Sequence, residues 1–579
     1  MNNQKKKIST GVEDFKEIID KNGYLVDKTL MIKELLESNA KVILFTRPRR
    51  FGKTLNQSMI RRFFEDEITK DGKRVDNRYL FDGLAISRCG EEILKHQQQY
   101  PVISLSLKSA KQPTYDDAYE SIVDEICKEF DRHSYVLKKE MSARNRKKYE
   151  RIMMGEGSYI EYAKSLALLS EVLAEYHGKN TIILLDEYDV PLENAYTEGF
   201  YPEMMKFIRS LFESAFKTNT YLERGIITGC LRISRESIFT GFNNLDIQSI
   251  LSAYYNDSFG FTEDEVKEML AYYGFEDKYE EVKEWYDGYQ FGNVEIYNPW
   301  SIISYIKESM GKNKGNFTIA TKPYWSNTGS NDIIKELAGN ADSDARADLE
   351  TLISGGTIKK PAHENITYGD VHANDDNVWN FLFFTGYLKM KDIYIDAGGT
   401  TYLELAIPNK EVRQIYKETI KTWFDKRMKS IDNTDLVKAL EQGDCKAANE
   451  FINNLFTDAL SYFDSSESFY HGLLAGLLAR TDKYRMDSNK ESGYGRYDLV
   501  LRTTVVSTGR VIILEFKIAD NVQQLEAKCD EALKQIEDKK YAVPFIKEGY
   551  PVVQKYGISF YKQECMVKQG EAYMKNNSR

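Results

Sequence analysis

The sequence predicts an α/β protein of several domains, with a parallel sheet, a helical middle region and a second α/β domain. Three observations support this fold class. Apolar strands alternate with helices over the first 250 residues, helices dominate after about residue 250, and strands return from residue 494. The predicted domains are 1–250, 251–430 and 431–579. At roughly 150 residues per domain, a chain of 579 residues has room for them.

The composition is that of a folded protein outside the membrane. Hydrophobic residues make up 42% of the chain and charged residues 29%, and no stretch of 18 consecutive apolar residues occurs. The six cysteines are isolated and form no CxxC pair, and the basic N-terminus lacks the apolar segment of a secretory signal. We therefore expect a cytoplasmic protein with no membrane partner. The net charge of −10 argues against a protein that coats nucleic acid non-specifically.

The first domain contains four apolar or β-branched runs separated by helical segments. A helix on each side of consecutive strands predicts a parallel sheet with helices on both faces. The predicted strands are 41–47, 101–108, 181–191 and 225–234, and the predicted helices lie in 53–65, 114–178 and 201–216.

The middle region and the C-terminal domain have different patterns. Residues 262–310 are helical with aromatic loops, and 376–425 contain a helix followed by two strands that turn at Gly398 and Gly399, which resembles a winged helix. The C-terminal domain is predicted to contain helices in 435–480, a hairpin with its turn at 507–509, a helix over 521–539 and a last strand at 557–562.

A candidate phosphate-binding loop lies between the first strand and the first long helix, in LFTRPRRFGKTLNQ. Its end supplies Gly52, Lys53 and Thr54, which are the parts that bind β- and γ-phosphates and Mg²⁺. The G-x-x-x-x-G-K-[ST] pattern places a glycine at position 47, where this chain has Arg47 followed by Pro48. The strand–loop–helix setting favours a nucleotide site whose entry turn is altered.

The acidic end of the strand TIILLDEYD supplies the second part of such a site. Asp186 is the candidate Mg²⁺ ligand, and Glu187 is the candidate residue that orients or deprotonates water. The alternative is that Asp186, Glu187 and Asp189 simply cap the end of the strand.

Further candidates surround these motifs. Thr228, at the end of the next strand, is a candidate sensor of the γ-phosphate or a buried threonine with a structural role. Arg232 and Arg235 follow it and either reach phosphate or lie in a solvated turn.

The arginines of the loop have two open interpretations. Arg47, Arg49 and Arg50 either add positive charge near the phosphates or pack against another domain. Arg50 is included among the candidate nucleotide-binding residues.

The C-terminal hairpin carries a pattern of two acids and a lysine. Glu515 and Lys517 share one face of a strand, and the hairpin brings Asp498 alongside them. Two neighbouring carboxylates can hold Mg²⁺, and a lysine can activate water at a phosphodiester. The alternative is an ordinary hairpin with charges that face solvent.

Two flanking helices offer additional groups to this candidate site. Glu467 is a candidate third metal ligand, and it shares a helix face with His471, which is more typical of a packed helix residue. Gln535, on the helix after the strand that carries Glu515, is a candidate contact to substrate or water.

Five motifs in the same order resemble the AAA-ATPase-like family of bacterial proteins over roughly residues 8–300. They are GYLVDKTLMIKELLE, RPRRFGKTLNQSMIRRFFE, LLDEYDVPL, SIFTGFNNL and YNPWSI. The family carries an RPRRFGK[ST] loop, so the resemblance accounts for the missing glycine and implies ATP binding by an AAA/STAND-like P-loop core. Residues 465–562 resemble the PD-(D/E)XK nuclease superfamily, which implies a restriction-endonuclease-like fold. Tyr497 stands where the superfamily name has proline.

These inferences together predict an ATP- and Mg²⁺-dependent switch coupled to a nuclease. The nucleic acid, DNA or RNA, is not determined by the sequence, and the oligomeric state is open. One alternative is a signalling or scaffold switch with a non-catalytic nuclease fold, and another is a motor on DNA.

The basic run 143–151 either contacts nucleic acid or is the solvated face of a helix.

Overall fold

The computed structural model contains two compact units, one formed by Met1–Ser330 and Gly355–Ile415 and the other by Asn331–Ser354 and Tyr416–Arg579. No helix in the described part of the chain combines the length and apolarity needed to cross a bilayer. The described residues are 5–231, 245–312, 321–325, 334, 337, 343–363, 375–457, 467–479, 483–488, 490–492, 494–562 and 564–575.

The first unit contains a five-stranded parallel sheet in the order β2-β3-β4-β1-β5. The four predicted strands are confirmed, but the sequence pattern missed β5 at the edge. Because all five strands are parallel, their carboxyl ends lie on one edge of the sheet. The strands are β1 Val42–Thr46, β2 Val102–Ser106, β3 Thr181–Asp186, β4 Leu222–Gly229 and β5 Leu245–Gln248.

Three helices of this sheet domain begin or end at residues with suitable capping chemistry. The side chain of Thr114 accepts a hydrogen bond from the Asp117 N–H, and Ser158 forms a capping box with Glu161. Gly178 ends its helix in the left-handed conformation. The helices are α1 Phe15–Asp20, α2 Leu30–Glu37, α3 Lys53–Phe64, α4 Glu91–Leu94, α5 Tyr115–Arg132, α6 Ala143–Met153, α7 Tyr159–Ala163, α8 Ser165–His177, α9 Val190–Glu198 and α10 Tyr201–Phe212.

The middle of the chain combines helices with two small antiparallel sheets. The predicted helix and hairpin are present, and the hairpin has a third strand, β8, on the other side of β10. The winged-helix assignment stays a prediction. The elements are α11 Glu263–Tyr273, α12 Tyr279–Tyr286, β6 Tyr289–Phe291, β7 Val294–Ile296, α13 Pro299–Lys312, α14 Ser343–Ile353, β8 Ile358–Pro361, α15 Asp375–Phe384, β9 Lys389–Ile395, β10 Thr401–Ala406 and α16 Lys410–Ser430.

The second unit is built on a mixed six-stranded sheet. The path β11-β14-β15-β16-β17 is antiparallel except for the parallel pair β15–β16, and β18 pairs with β16. The predicted last strand is therefore followed by two more. The strands of this sheet are β11 Tyr484–Ser488, β14 Leu499–Thr503, β15 Arg510–Ile518, β16 Val552–Tyr561, β17 Glu564–Gln569 and β18 Tyr573–Met574, and a separate antiparallel pair is formed by β12 Glu491–Ser492 and β13 Gly495–Arg496.

Helices cover both faces of this sheet, so β15 is buried on both sides. Phe516 packs with the stacked rings of Tyr470 and Phe560 on one face, and Ile513 packs near Ile536 on the other. This two-sided burial explains the long apolar run of the strand. The helices are α17 Thr434–Gln442, α18 Cys445–Thr457, α19 Glu467–Leu478, α20 Leu525–Asp538 and α21 Val543–Glu548.

A fully buried carboxyl group, Glu411, holds the middle of the first unit together. It lies at the start of α16 and accepts hydrogen bonds from the Ser301 hydroxyl of α13 at 2.8 Å and from the backbone N–H groups of Tyr324 and Trp325 at 2.7 and 2.9 Å. Burial raises the pKa of Glu411 to about 7. The carboxyl group thus joins two helices and a connecting segment.

The raised pKa predicts that this part of the protein loses stability as the pH rises. The folded state binds the proton more tightly than the unfolded state, so the stability present below the ordinary pKa of 4.5 is lost as the pH rises through about 7. Glu411→Gln keeps an oxygen for the two N–H groups and gives the Ser301 hydroxyl a donor. Thermal unfolding between about pH 5 and 8 should therefore show a pH-dependent loss of stability that is larger in the wild type than in Glu411→Gln, in which the buried Asp287, whose pKa is also raised to about 7, still contributes. Exposed Glu91→Gln is the control, and parallel pH curves for wild type and Glu411→Gln would contradict this account.

Candidate functional sites

The loop between β1 and α3 brings its backbone to the carboxyl edge of the parallel sheet. Gly52 adopts the left-handed conformation with φ 86° immediately before α3, and its carbonyl accepts the first helical hydrogen bond from Asn56 at 3.0 Å. A glycine takes this conformation without strain. The turn directs the N-terminal end of α3, with its unpaired N–H groups, toward the edge where a phosphate can bind.

Lys53 points into the interior of this loop. Its ammonium group is buried and donates hydrogen bonds to the carbonyls of Arg47 and Pro48, each at 2.9 Å, and it lies 3.5 Å from the Cys230 sulfur. These partners are neutral, and phosphate oxygens are stronger acceptors for an ammonium group than carbonyls are. Cys230 has no motif that would have marked it in the sequence.

Three of the predicted residues meet at the carboxylate of Asp186. The Thr54 hydroxyl donates to one oxygen at 2.7 Å, and the Thr228 hydroxyl donates to the other. Asp186 ends β3, Thr228 lies on β4 and Thr54 lies in the first turn of α3, so the cluster joins three elements. The oxygen donors of Thr54 and Asp186 fit Mg²⁺, which binds one or two protein oxygens and keeps several waters.

The two acids that follow Asp186 have different environments. Glu187 has a left-handed backbone with φ 53°, and burial, together with the neighbouring charge of Asp186, raises its pKa. Asp189 accepts hydrogen bonds from the backbone N–H groups of Cys230 and Leu231 at 2.7 and 3.0 Å. Asp189 therefore fixes the chain after β4, while Glu187 stands beside the Thr54–Asp186 pair.

The loop arginines make three separate contacts within the first unit. The guanidinium group of Arg47 is buried among carbonyls and rings, and Arg49 pairs with Glu193 of α9. Arg50 lies with its guanidinium carbon 4.4 Å from the ring centroid of Trp300. Arg47 and Arg50 therefore pack against rings, whereas Arg49 forms an ion pair. Arg232 and Arg235 lie outside the described residues.

The C-terminal candidate residues also come together. Asp498 immediately precedes β14, not within it as the pattern predicted, and lies across from Glu515 on β15. The Phe516 N–H donates to the Asp498 carboxylate at 2.7 Å, and the Asp498 N–H donates to the Glu515 carboxylate at 3.4 Å. The Lys517 ammonium lies 3.8 Å from the Glu515 carboxylate. The two acids and the lysine therefore form one cluster.

A second layer of side chains holds this cluster in place. The Gln535 amide donates to the Glu515 carboxylate and lies 3.3 Å from the Tyr541 hydroxyl, which itself donates to the Arg496 carbonyl at 2.6 Å. His471 bonds to the Asp498 carbonyl at 3.0 Å. Sequence reasoning missed Tyr541, and it treated His471 as a packed residue without locating its partner.

The residues present fit a magnesium ion held by two carboxylates. Within the described residues no group of three or more His, Cys, Asp or Glu side chains is arranged to hold a metal. Mg²⁺ does not need such a group, because it binds through one or two carboxylates and substrate phosphates. Asp498 and Glu515 supply that number. The side chain of Glu467, the predicted third ligand, lies outside the described part of the chain.

The fold and the two clusters define a protein that combines a P-loop-like domain with a nuclease-like domain. Residues 9–239 match the family model described as a predicted AAA-ATPase, and residues 465–570 match the model of the PD-(D/E)XK nuclease superfamily. The chain is therefore similar to each of these two families over a separate part of its length.

A relative with the same extent exists in Azotobacter chroococcum mcd 1. It is named an uncharacterized protein in the vnfD 5′ region, and it is 24% identical to this chain over 564 residues. The similarity covers 95% of both chains, so it extends over both domains.

Proposed function

We propose that the protein is an ATP-binding and ATP-hydrolysing switch coupled to a Mg²⁺-dependent phosphodiesterase that cuts nucleic acid. The observation that supports it most is the meeting of Thr54 and Thr228 at Asp186, beside the loop that holds Lys53. This cluster lies at the carboxyl edge of a parallel sheet, where ligands bind in open α/β folds.

Each residue of the first cluster has a role in this proposal. Lys53 exchanges its carbonyl partners for the β- and γ-phosphates, and Thr54 and Asp186 hold Mg²⁺. When bound, Mg²⁺ neutralises charge that develops on the phosphoryl group. Glu187 orients and deprotonates the attacking water, since its raised pKa makes it a stronger base than an ordinary carboxylate. Thr228 senses the γ-phosphate through its bond to Asp186.

The second cluster supports phosphodiester hydrolysis. Asp498 and Glu515 hold Mg²⁺, which polarises the scissile phosphate when bound. Lys517 positions or activates the attacking water, and Gln535 keeps the Glu515 carboxylate oriented through its amide. The burial of this cluster supports a role beyond folding, because charges on a hairpin normally face solvent, whereas Glu515 is 1% exposed.

The coupling between the two activities is motivated by their covalent fusion. ATP binding or hydrolysis alters the helical middle region, and that change permits cleavage at the second cluster. A second candidate function is a nucleotide-dependent scaffold whose C-terminal domain recognises a partner without cutting it. The polar groups of the C-terminal cluster already bond to one another, as in a structural polar network, and this favours the alternative.

The first prediction from this proposal separates ATP binding from hydrolysis. Lys53→Ala should weaken ATP binding at least about tenfold, because it removes the charge that reaches the phosphates. Glu187→Gln should bind ATP as the wild type does but hydrolyse it about 10²–10⁴-fold more slowly. Calorimetric binding and phosphate release measure the two effects, with exposed Lys95→Ala as the control. Unchanged hydrolysis in Glu187→Gln would remove Glu187 from the mechanism.

The second prediction concerns the nuclease and its dependence on ATP. Wild-type protein should cleave at least one of single- or double-stranded DNA or RNA with Mg²⁺, and Glu515→Gln and Lys517→Ala should abolish cleavage, while exposed Lys438→Ala retains it. Lys53→Ala should remove the response of cleavage to ATP. If cleavage by Lys53→Ala responds to ATP as the wild type does, the coupling is wrong. A wild type that cuts none of the four substrates, with or without ATP, supports the scaffold instead.

A further inference from the structure

The side chain of Arg47 is fully buried at the position where the common phosphate-loop pattern has a glycine. Its guanidinium group donates hydrogen bonds to the carbonyls of Thr46 at 2.9 Å, Gln248 at 2.7 Å and Tyr255 at 3.2 Å. The guanidinium carbon also lies 5.1 Å from the ring centroid of Phe259 and 5.2 Å from that of Phe291. One side chain thus joins the start of the loop to three segments beyond it.

Burying the charge of the Arg47 guanidinium in this environment costs free energy. The contacts that the structure describes for the Arg47 guanidinium are carbonyl dipoles and ring faces, and burial lowers its pKa to about 9. Carbonyl oxygens and ring faces are both attractive to a cation, which compensates part of the lost hydration. Packing alone would be served better by an apolar side chain of similar volume.

The backbone of Arg47 links this anchor to the nucleotide site. Its N–H donates to the Gly229 carbonyl at 3.0 Å, directly after Thr228 on β4. Its own carbonyl accepts a hydrogen bond from the Lys53 ammonium at 2.9 Å. When the side chain is held, the carbonyl that orients Lys53 is therefore held as well.

The other end of the loop is tied to the same part of the chain. The Phe51 carbonyl accepts a hydrogen bond from the Gly260 N–H at 3.1 Å, and the Phe51 ring lies 5.0 Å from the Tyr289 ring. Both ends of the loop are thus fixed by residues 248–260 and 289–291, which follow β4 in the chain. A glycine at position 47 could make none of the side-chain contacts.

We infer that Arg47 is a positioning residue of the nucleotide site, whose guanidinium group fixes the loop by bonding to Gln248 and Tyr255 and thereby presets the Lys53 ammonium for phosphate. This inference rests on the proposed ATP binding. Lysine cannot replace arginine here, because a single ammonium group lacks the planar, forked donors that reach separate carbonyls between two rings.

Arg47→Lys tests the inference while retaining the charge, and exposed Arg88→Lys is the matched control. Circular dichroism first defines a temperature at which every variant is folded. At that temperature Arg47→Lys should weaken ATP binding at least about tenfold, and the control should bind as the wild type does. In a double-mutant cycle, the effect of Arg47→Lys should largely disappear in the Lys53→Ala background, because the loop acts through that lysine.

Amide hydrogen exchange of the nucleotide-free protein provides a readout that does not depend on ATP. The amides of residues 49–54 should exchange at least about tenfold faster in Arg47→Lys, while those of β3 exchange as in the wild type. Unchanged exchange in the loop overturns the inference, and so does unchanged ATP affinity in a wild type that binds ATP. A wild type that binds no ATP overturns the proposed function, and loop exchange then decides alone whether Arg47 anchors the loop. A general loss of protection, including β3, would show a structural role only and would also overturn the inference.

Discussion

The carboxylate of Asp186 is the group on which the geometry of the proposed nucleotide site depends. It accepts hydrogen bonds from the hydroxyls of Thr54 and Thr228, and so it holds β3, β4 and the first turn of α3 in one arrangement. Thr228 lies on β4, the strand that pairs with β3, and Thr54 lies in the first turn of α3. The two hydroxyls therefore approach the carboxylate from two different elements. If the carboxylate were moved, both Thr228 and the first turn of the helix that carries Lys53 would lose the acceptor that positions them. A buried charge held by neutral donors is stable only while those donors stay in place.

The sequence could predict this cluster because its members obey simple rules of parallel sheets. Asp186 and Thr228 end apolar strands and Thr54 starts a helix, and the carboxyl ends of parallel strands share an edge. The role of Arg47 could not be predicted in the same way. Its partner Gln248 is 201 residues further along the chain, on the edge strand β5 that the pattern missed. Contacts over such separations are set by tertiary packing, which short-range periodicity does not encode.

The C-terminal cluster shows the same division between local pattern and tertiary contact. Strand alternation and the hairpin were enough to bring Asp498, Glu515 and Lys517 together, since residues of paired strands must face one another. The bond of His471 to the Asp498 carbonyl depends instead on how α19 packs against the sheet. The bond of the Tyr541 hydroxyl to the Arg496 carbonyl depends on the turn after α20. The two short strands after β16 were also missed, because β17 and β18 lack a long apolar run.

Lys53 and Lys517 differ in the partners that a ligand must replace in order to bind them. Lys53 is held by two neutral carbonyls at 2.9 Å, and phosphate oxygens are stronger acceptors for an ammonium group than carbonyls are. Lys517 lies 3.8 Å from the Glu515 carboxylate, a charged partner that opposes its movement toward substrate. That attraction weakens when the carboxylate shares its charge with a divalent cation. The two lysines therefore differ in their nearest described partners, which are neutral carbonyls for Lys53 and a carboxylate for Lys517.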